Sequence, residues 1–398
     1  MDLKLYPGKL QGNISAIPSK SQAHRLLICA AFSSTPTELI CATSNEDIDA
    51  TVQCLCAIGA KICRTNTGFF VEPVSNIPQK ATLDCRESGS TLRFMLPIVC
   101  ALGIETTILM SGRLPKRPLS PLWEELERMG CTLDRPTIDT IHTKGKLHCG
   151  EYRIAGNVSS QFITGLLFAL SLLEGTSHIL VTGRLESKLY VEMTQKALQM
   201  FGVNTENHDV HGSYPFTSPG RLQVEGDWSN AAFFLTANAM GHPVSVTGLN
   251  EDSPQGDRMI QEILKDTTAI PQISAADIPD LVPIMAVFFA SKNGAVFDDI
   301  QRLRMKESDR VDSVIAMLRA LGINAQADQT TLWVSGGSFT GGIVDACVDH
   351  RIAMAAAIAA TNASDSVIIL GAECVSKSYP TFWQEYQRLG GKYEQYVR

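Results

Sequence analysis

Two kinds of apolar pattern alternate along this chain of 398 residues. The first is an amphipathic stretch that ends at Leu-Gly or a near equivalent, which predicts an outer helix stopped by a glycine. The second is apolar on nearly all sides, which predicts an interior helix. The glycines that end the first kind are Gly59, Gly130, Gly202, Gly322 and Gly390. The copies of the second kind are SKSQAHRLLICAAF, ESGSTLRFMLPIVCAL, SSQFITGLLFALSLL, SNAAFFLTANAM, DLVPIMAVFFA and DHRIAMAAAIAA.

The interior helices recur with a regular period. Their polar starts fall near residues 20, 89, 160, 229, 280 and 350, a spacing of roughly 70 residues with one gap of roughly 50. Strand-like segments such as GFFVEP and TLWVSG lie between the helices, so we expect six α/β units. The short gap, in EILKDTTAIPQISAADIPD, predicts a trimmed fourth unit.

Six such units are too many to pack around one hydrophobic core, so we expect two domains with three units each. We expect a first domain of residues 14–224 and a second of residues 1–13 plus 225–398, because the period places a boundary near Gly220–Gly226. The first dozen residues precede the first full unit. They are predicted to pair as a strand with the second domain.

Composition narrows the class of protein. The chain is 44% hydrophobic with a formal net charge of −7, which is typical of a globular protein and argues against nucleic-acid binding. Its 11 cysteines include no CxxC pair, as expected of buried thiols in a reducing compartment. No apolar run approaches the roughly 20 residues of a membrane span, and the start does not resemble a signal peptide. We therefore expect a cytoplasmic protein without nucleic-acid or membrane partners.

The starts of the interior helices carry residues that suit anions. A helix N-terminus has free N–H groups and a partial positive charge. Taken singly, such residues have simpler explanations, since an arginine there is usually a solvated charge and a serine usually a cap. Their recurrence at equivalent places instead predicts one cleft, lined with anion donors and enclosed by the two domains. The residues at these starts include Lys20, Ser21, Arg25, Gly89, Ser159, Ser160, Gln161, Asp280 and Arg351.

Two further basic clusters occur, in RLPKRP and in RLRMKESDR. The simpler interpretation of the second is a charged helix start with Ser308 as its cap. Sequence signatures of other chemistries are missing: the chain contains no GxxxxGK[ST], GxSxG or HExxH. No metal site or cofactor is expected.

These motifs, taken together, resemble the 5-enolpyruvylshikimate-3-phosphate synthase family over nearly the whole length. The matching segments, in the family's order, are PSKSQAHR, SGSTLR, GRLPKRP, SSQ, SKLY, VEGDWS, the IPD beginning at Ile278, RMKESDR, DHR and SKSYP. The resemblance implies two inside-out α/β domains that close on substrate. Each would contain three repeated α/β units around buried parallel helices.

The resemblance also implies a reaction and a site. The enolpyruvyl group of phosphoenolpyruvate would pass to the 5-hydroxyl of shikimate 3-phosphate by addition and elimination, on the pathway to chorismate and the aromatic amino acids. By resemblance, phosphoenolpyruvate is bound by Lys20, Gly89, Arg117, Gln161, Arg310, Arg351 and Lys377. Shikimate 3-phosphate is bound by Ser21, Arg25, Ser159, Ser160, Gln161, Ser187, Tyr190, Asp280 and Lys306.

Catalytic roles follow from the chemistry of this reaction. Carbon C3 of phosphoenolpyruvate must gain a proton, for which Glu307 is the candidate acid. The 5-hydroxyl must lose one, for which Asp280 is the candidate base, with Lys306 beside it and Lys20 as the other catalytic lysine. Because no phosphoryl group migrates, no metal is required. The family is commonly monomeric, so a monomer is expected.

Three residues depart from the family pattern, and two alternatives stay open. Glu87 and Arg302 stand where many members have asparagine, and Phe162 stands where some have arginine. The first alternative is UDP-N-acetylglucosamine enolpyruvyl transferase, whose usual reactive cysteine is missing from GRLPKRP. The second is a non-catalytic sugar-phosphate-binding paralogue. The presence of Lys20, Asp280, Glu307, Arg310 and Lys377 argues against it.

Overall fold

The computed structural model describes residues 1–212, 214–265 and 270–397. The helices are α1 Lys20–Ala31, α2 Glu46–Ala57, α3 Gly89–Leu102, α4 Leu122–Arg128, α5 Ser160–Ser171, α6 Lys188–Met200, α7 Trp228–Ala239, α8 Ile260–Ile263, α9 Val282–Ala290, α10 Arg310–Ala320, α11 His350–Ala360 and α12 Phe382–Arg388. The strands are β1 Leu3–Tyr6, β2 Gly12–Ser15, β3 Thr37–Ile40, β4 Lys61–Arg64, β5 Gly68–Glu72, β6 Lys80–Asp84, β7 Glu105–Leu109, β8 Cys131–Thr137, β9 Thr140–Gly145, β10 Glu151–Ala155, β11 Thr176–Thr182, β12 Asp209–His211, β13 Arg221–Gln223, β14 Val244–Thr247, β15 Gln272–Ser274, β16 Gly294–Asp298, β17 Ala325–Ala327, β18 Thr331–Ser335, β19 Gly342–Asp345, β20 Val367–Leu370 and β21 Lys392–Gln395.

The chain divides into two compact units, each with its own hydrophobic core. The first unit is Pro18–Glu225, and the second is Met1–Ile17 with Gly226–Arg398. In the described part of the chain, the first unit contains sheets with strand orders β13-β3-β5-β4, β6-β7-β9-β8 and β10-β11-β12. The second contains β14-β2, β15-β16-β18-β17 and β19-β20-β1-β21.

Each unit encloses a set of almost entirely buried helices: α1, α3 and α5 in the first, and α7, α9 and α11 in the second. They begin within two residues of the predicted starts. Serines Ser19, Ser88 and Ser159 cap the helices of the first unit, whereas Asp227 and Asp349 cap α7 and α11 in the second. Each cap accepts a hydrogen bond from a backbone N–H in the first turn, which typically stabilises a helix by about 1 kcal/mol.

The outer helices α2, α4, α6, α10 and α12 end as the sequence predicts. The five glycines of the Leu-Gly pattern each follow one of these helices with φ between +79° and +110°. An L-residue in the left-handed region costs roughly 1–2 kcal/mol, so glycine is favoured there. The predicted alternation of outer and interior helices is confirmed.

The strands that flank an interior helix usually pair with each other in parallel. This holds for β6 with β7, β10 with β11, β15 with β16, and β19 with β20. Around α1 and α7 the partners are exchanged, because β2 pairs with β14 and β13 pairs with β3. Strand β1 lies between β20 and β21. The predicted pairing of the first residues with the second half of the chain is confirmed.

The fourth unit is shortened, as predicted. Its sheet consists of β14 and β2 in the described part of the chain, and its outer helix α8 has four residues. The other outer helices in the described ranges have 7 to 13 residues. Residues 266–269 of the predicted short segment lie outside the described residues. The predicted fold class is confirmed. In the described part of the chain, three repeated α/β units lie in Pro18–Glu225, and three lie in Met1–Ile17 with Gly226–Arg398.

Among the residues that the structure describes, no helix is both long enough and apolar enough to cross a bilayer.

Candidate active site

A buried arginine joins three carboxylates in the second unit. Arg310, the first residue of α10, has a fully buried side chain. Its Nη1 donates to Asp280 Oδ1 at 2.8 Å, its Nη2 to Glu307 Oε2 at 2.8 Å and its Nε to Asp349 Oδ2 at 3.0 Å. Burial alone would lower the pKa of Arg310, but the three carboxylates raise it above its usual range. The guanidinium is therefore a fixed cation at the starts of α9, α10 and α11.

Asp280 receives two further cations. Arg351 Nη2 donates to its Oδ2 at 3.0 Å, and Lys306 Nζ lies 3.4 Å from its Oδ1. Burial would raise the pKa of Asp280, but attraction by Arg351, Lys306 and Arg310 outweighs burial and holds the pKa well below its usual value. The side chain keeps 22% exposure, so an ionised carboxylate is open to a ligand.

The pKa of the Lys306 ammonium group lies close to neutral pH. Lys306 follows a short 3-10 helix, Gln301–Met305, and its side chain is 19% exposed. Burial lowers the pKa of its ammonium group to about 8, against the opposing attraction of Asp280. A modest change in its surroundings therefore decides its charge.

The helix that carries Arg310 begins differently from the simpler interpretation of its sequence. Asp309 caps α10, with its side chain accepting from Asp312 N. Ser308 Oγ instead donates to Asp349 Oδ2 at 3.0 Å. The interpretation of Ser308 as a cap is therefore wrong, because Asp309 takes that position and Ser308 belongs to the charged cluster.

In the first unit, Lys20 and Asp47 form an ion pair. Lys20 begins α1, and its Nζ lies 2.8 Å from Asp47 Oδ2. Both side chains are largely buried, at 16% and 8% exposure. The pair places an ammonium group at the start of an interior helix, where an anion is also attracted by the helix N-terminus.

Arg25 is a buried cation with neutral partners. It donates to Thr194 Oγ1 at 2.8 Å, to the Tyr190 backbone O at 3.0 Å and to the Ser21 backbone O at 2.6 Å, and it lies over the ring of Phe94. Burial lowers its pKa to about 10, so the guanidinium stays charged at neutral pH. No carboxylate forms an ion pair with it in the described ranges. A charge in this position favours an anionic ligand.

Two guanidinium groups lie at the start of α3. A Cβ built on Gly89 would lie 2.7 Å from Arg117 Nη1 and 2.9 Å from Arg93 Nη1. Arg93 Nη1 also donates to Gln161 Oε1 at 2.7 Å, and Gln161 Nε2 donates to Ser90 Oγ at 2.9 Å. The glycine thus lets two cations approach a helix N-terminus, which is an arrangement suited to a phosphate or carboxylate.

The remaining predicted residues are placed as follows. Ser159 caps α5 and Ser160 begins it. Ser187 precedes α6 with φ +55°, and Tyr190 lies in the first turn of that helix. Lys377 is buried at the end of the 3-10 helix Ala372–Lys377 in the second unit.

The structure therefore gathers most predicted residues into local groups. Asp280, Lys306, Glu307, Arg310 and Arg351 meet in the second unit. In the first unit Arg25 contacts Ser21 and Tyr190.

Gly89 adjoins Arg117, and both Arg93 and Ser90 contact Gln161. Arg93 was not among the predicted site residues. Its position near the start of the second interior helix, in SGSTLR, was recognised in the sequence, but no substrate was assigned to it.

The described residues contain no group of three or more His, Cys, Asp or Glu side chains able to hold a metal ion.

Comparisons with known proteins agree in one family. The chain matches the family model of EPSP synthase (3-phosphoshikimate 1-carboxyvinyltransferase) over residues 6–386. It is 36% identical to a 3-phosphoshikimate 1-carboxyvinyltransferase of Clostridium beijerinckii, over 99% of both chains. It is 37% identical to the protein of the same name from Clostridium kluyveri, over 99% of this chain and 98% of that one.

Solved structures support the fold. An EPSP synthase from Acinetobacter baumannii superposes with a TM-score of 0.80 at 23% identity, covering 99% of this chain and 100% of that one. The enolpyruvyl transferase NikO from Streptomyces tendae gives a TM-score of 0.78 at 16% identity, covering 100% and 99%.

Proposed function

Because this chain belongs to the EPSP synthase family, we propose that it transfers the enolpyruvyl group of phosphoenolpyruvate to the 5-hydroxyl of shikimate 3-phosphate and releases phosphate. The observation that carries the proposal is the cluster of Asp280, Glu307 and Lys306 around buried Arg310. It supplies two carboxyl groups for proton transfer and a set of cations for anionic substrates in one place.

Asp280 is the proposed base that takes the proton of the 5-hydroxyl. In the free protein its pKa is held low by Arg351, Lys306 and Arg310, which makes it a weak base. Arg310 and Arg351 are also proposed ligands of phosphoenolpyruvate. As the anion shares these cations, their hold on Asp280 weakens and its basicity rises, so substrate binding prepares the base.

Glu307 is the proposed acid that protonates carbon C3 of phosphoenolpyruvate. Its side chain is 15% exposed and its Oε2 accepts from Arg310. Once C3 is protonated and becomes a methyl group, the 5-hydroxyl adds to the neighbouring carbon C2, which becomes a tetrahedral centre that still carries the phosphate. Elimination then removes a proton from the C3 methyl group, re-forms the C2–C3 double bond and breaks the C2–O bond to phosphate, which leaves with a proton from the acid. Each placed acid or base typically contributes roughly 10²–10⁴-fold.

The first unit supplies the proposed anion ligands. Arg25 has a buried charge and neutral partners, which supports its assignment to shikimate 3-phosphate together with Ser21 and Tyr190. The further proposed ligands of this substrate are Ser159, Ser160, Gln161 and Ser187. The first domain, residues 14–224 of the sequence prediction, would thus serve mainly shikimate 3-phosphate.

The guanidinium of Arg117 beside Gly89 supports the assignment of both to phosphoenolpyruvate, with Lys20 and Gln161. Lys377 of the second unit is the further proposed ligand of that substrate. The closure of two domains on one cleft stays a prediction.

The proposed enzyme is a cytoplasmic monomer that acts on small molecules. Its cysteines are free, and six of the 11 are buried, which fits a reducing compartment. The family model and the named relatives favour the shikimate substrate over UDP-N-acetylglucosamine and over a non-catalytic role.

The decisive experiment measures phosphate release from phosphoenolpyruvate with either shikimate 3-phosphate or UDP-N-acetylglucosamine as acceptor. We expect release with the first acceptor only, and loss of that release in Asp280→Asn. The matched control, Asp365→Asn, changes an exposed carboxylate of the second unit and should keep the parental rate. Release only with the nucleotide sugar, or with neither acceptor, would contradict the proposal.

A further inference from the structure

A second carboxyl group is buried behind the charged cluster of the second unit. Asp257 lies in the short 3-10 helix Gly256–Met259, and its side chain is fully buried. Its Oδ2 accepts a hydrogen bond from Ser229 Oγ. Its Oδ1 has no hydrogen-bond partner in the described part of the chain. A buried carboxylate without an ion pair is costly, so the group requires an explanation.

A chain of contacts connects Asp257 to the proposed site. Ser229 lies in the first turn of α7, and its backbone O accepts from Arg351 Nη1 at 3.4 Å. The other nitrogen of that guanidinium, Nη2, donates to Asp280 Oδ2 at 3.0 Å. Asp257 therefore holds the serine whose carbonyl helps to orient Arg351, and Arg351 in turn holds the proposed base.

The charges that face Asp257 oppose its ionisation. Asp280 and Asp227, the cap of α7, are carboxylates, while Arg351 is the cation, and Arg351 is already paired with Asp280. Burial raises the pKa of Asp257 to about 7, repulsion by Asp280 and Asp227 adds to it, and Arg351 and Ser229 oppose it. The group therefore carries a proton below neutral pH and loses it above.

We propose that Asp257 is a positioning residue of this enzyme, which acts through Ser229 on Arg351 and weakens the binding of phosphoenolpyruvate when it ionises. The proposal rests on the proposed function, because Arg351 is a proposed ligand of that substrate. Ionised Asp257 places a negative charge behind Arg351. That charge competes with the incoming anion for the same guanidinium.

The test compares the pH dependence of KM for phosphoenolpyruvate in the parent, in Asp257→Asn and in Asp252→Asn. Asparagine keeps the size and hydrogen bonds of the protonated acid but cannot ionise, and Asp252 is an exposed carboxylate of the preceding loop. We expect KM of the parent to rise about tenfold between pH 6 and pH 8.5. A rise of this size follows if the pKa of Asp257 is about one unit higher in the complex with phosphoenolpyruvate than in the free protein. Asp257→Asn should lack this rise, and Asp252→Asn should keep it.

Lys306 titrates in the same range, but it is present in all three proteins, so the difference between them reports Asp257. A parental rise in Asp257→Asn would overturn the inference. Ser229→Ala provides a second variant. Its removal of the donor to Oδ2 raises the pKa of Asp257 and should move the rise in KM to higher pH. An unmoved rise would count equally against the inference.

Thermal unfolding gives a measurement that does not need activity. An unfolded chain ionises Asp257 near pH 4, whereas the folded protein keeps its proton to about pH 7. Between these values the folded state binds more protons, so the stability due to this group falls as pH rises. The melting temperature of Asp257→Asn relative to the parent should therefore increase from pH 5 to pH 8.

A difference in melting temperature that is independent of pH would contradict the inference. A parent that releases no phosphate would instead refute the proposed function and leave this thermal result to stand by itself.

Discussion

Lys20 Nζ lies 2.8 Å from Asp47 Oδ2, and the two side chains are only 16% and 8% exposed. Little water surrounds the pair, so its attraction is screened less than that of a surface pair. An anionic substrate at the start of α1 must share Lys20 with this carboxylate. The pair therefore holds the ammonium group in place before the substrate arrives.

Replacement of this lysine should weaken the binding of phosphoenolpyruvate. A hydrogen bond to a charged group contributes about 1.5–3 kcal/mol, so Lys20→Ala should raise KM for phosphoenolpyruvate by roughly 10- to 100-fold. Steady-state kinetics with shikimate 3-phosphate held at saturation measures this change. The matched control is Lys61→Ala, since Lys61 is 77% exposed and lies 3.9 Å from Glu72.

Lys20→Ala also leaves Asp47 without this cation. The double variant Lys20→Ala/Asp47→Asn removes that charge, and its KM should stay high if Lys20 itself binds the substrate. Recovery of the parental KM in the double variant would show that Lys20 serves only to neutralise Asp47.

Removal of either proposed proton-transfer group should slow turnover. Asp280→Asn and Glu307→Gln should each lower kcat by at least about 100-fold, because each variant loses an acid or base of the reaction. Rapid-quench or steady-state measurement of phosphate release tests this, with Asp365→Asn as the control. Melting temperatures should be recorded too, since both residues contact buried Arg310. Near-parental kcat in both variants would remove these carboxyl groups from the mechanism.

A methyl group on Gly89 should weaken the binding of phosphoenolpyruvate more than the binding of shikimate 3-phosphate. The Cβ of Gly89→Ala would lie 2.7 Å from Arg117 Nη1 and 2.9 Å from Arg93 Nη1, so the guanidinium groups must move. We expect KM for phosphoenolpyruvate to rise about tenfold or more, the loss of one charge-assisted hydrogen bond. Gly8→Ala is the control, because nothing lies within 4 Å of its Cβ. Equal changes for both substrates would argue against a specific role of this arginine pair.

Loss of the positive charge of Lys306 should weaken the binding of shikimate 3-phosphate at alkaline pH. Its pKa is about 8, so raising the pH through that value removes a proton and with it a positive charge. Affinity for the anionic substrate should therefore fall as pH rises through 8. Lys306→Arg keeps its charge and should shift that fall to higher pH. Identical profiles of KM from about pH 7 to pH 9.5 in the two proteins would exclude this origin.

Much of the fold follows from local sequence, because its signals are short-range. Apolar residues on all faces identify the interior helices, and a glycine after the last apolar residue marks the end of each outer helix. These signals place α7 and α9, for example, within two residues of their positions. The trimmed fourth unit was visible as a short period.

The contacts within the site are less predictable, since they join distant segments. Arg310 pairs with Asp349, 39 positions further on. Ser308 donates to the same carboxylate instead of capping a helix. Asp257 stands in PQGDRM, where no helical or strand period marks a buried position. Its burial results from packing against α7, which only the folded chain brings about.

The position of β1 between β20 and β21 constrains the order in which the chain can fold during synthesis. In the part of the chain that the structure describes, every strand of the first unit lies between Thr37 and Gln223, so that unit can emerge before most of the second unit is made. Strand β1 emerges long before β20 and β21, yet its sheet cannot form until those two strands have emerged. Long-range pairing of this kind is slow and leaves a strand edge bare in the meantime. Strand β1 thus stays unpaired in the nascent chain at least until β20 has been made.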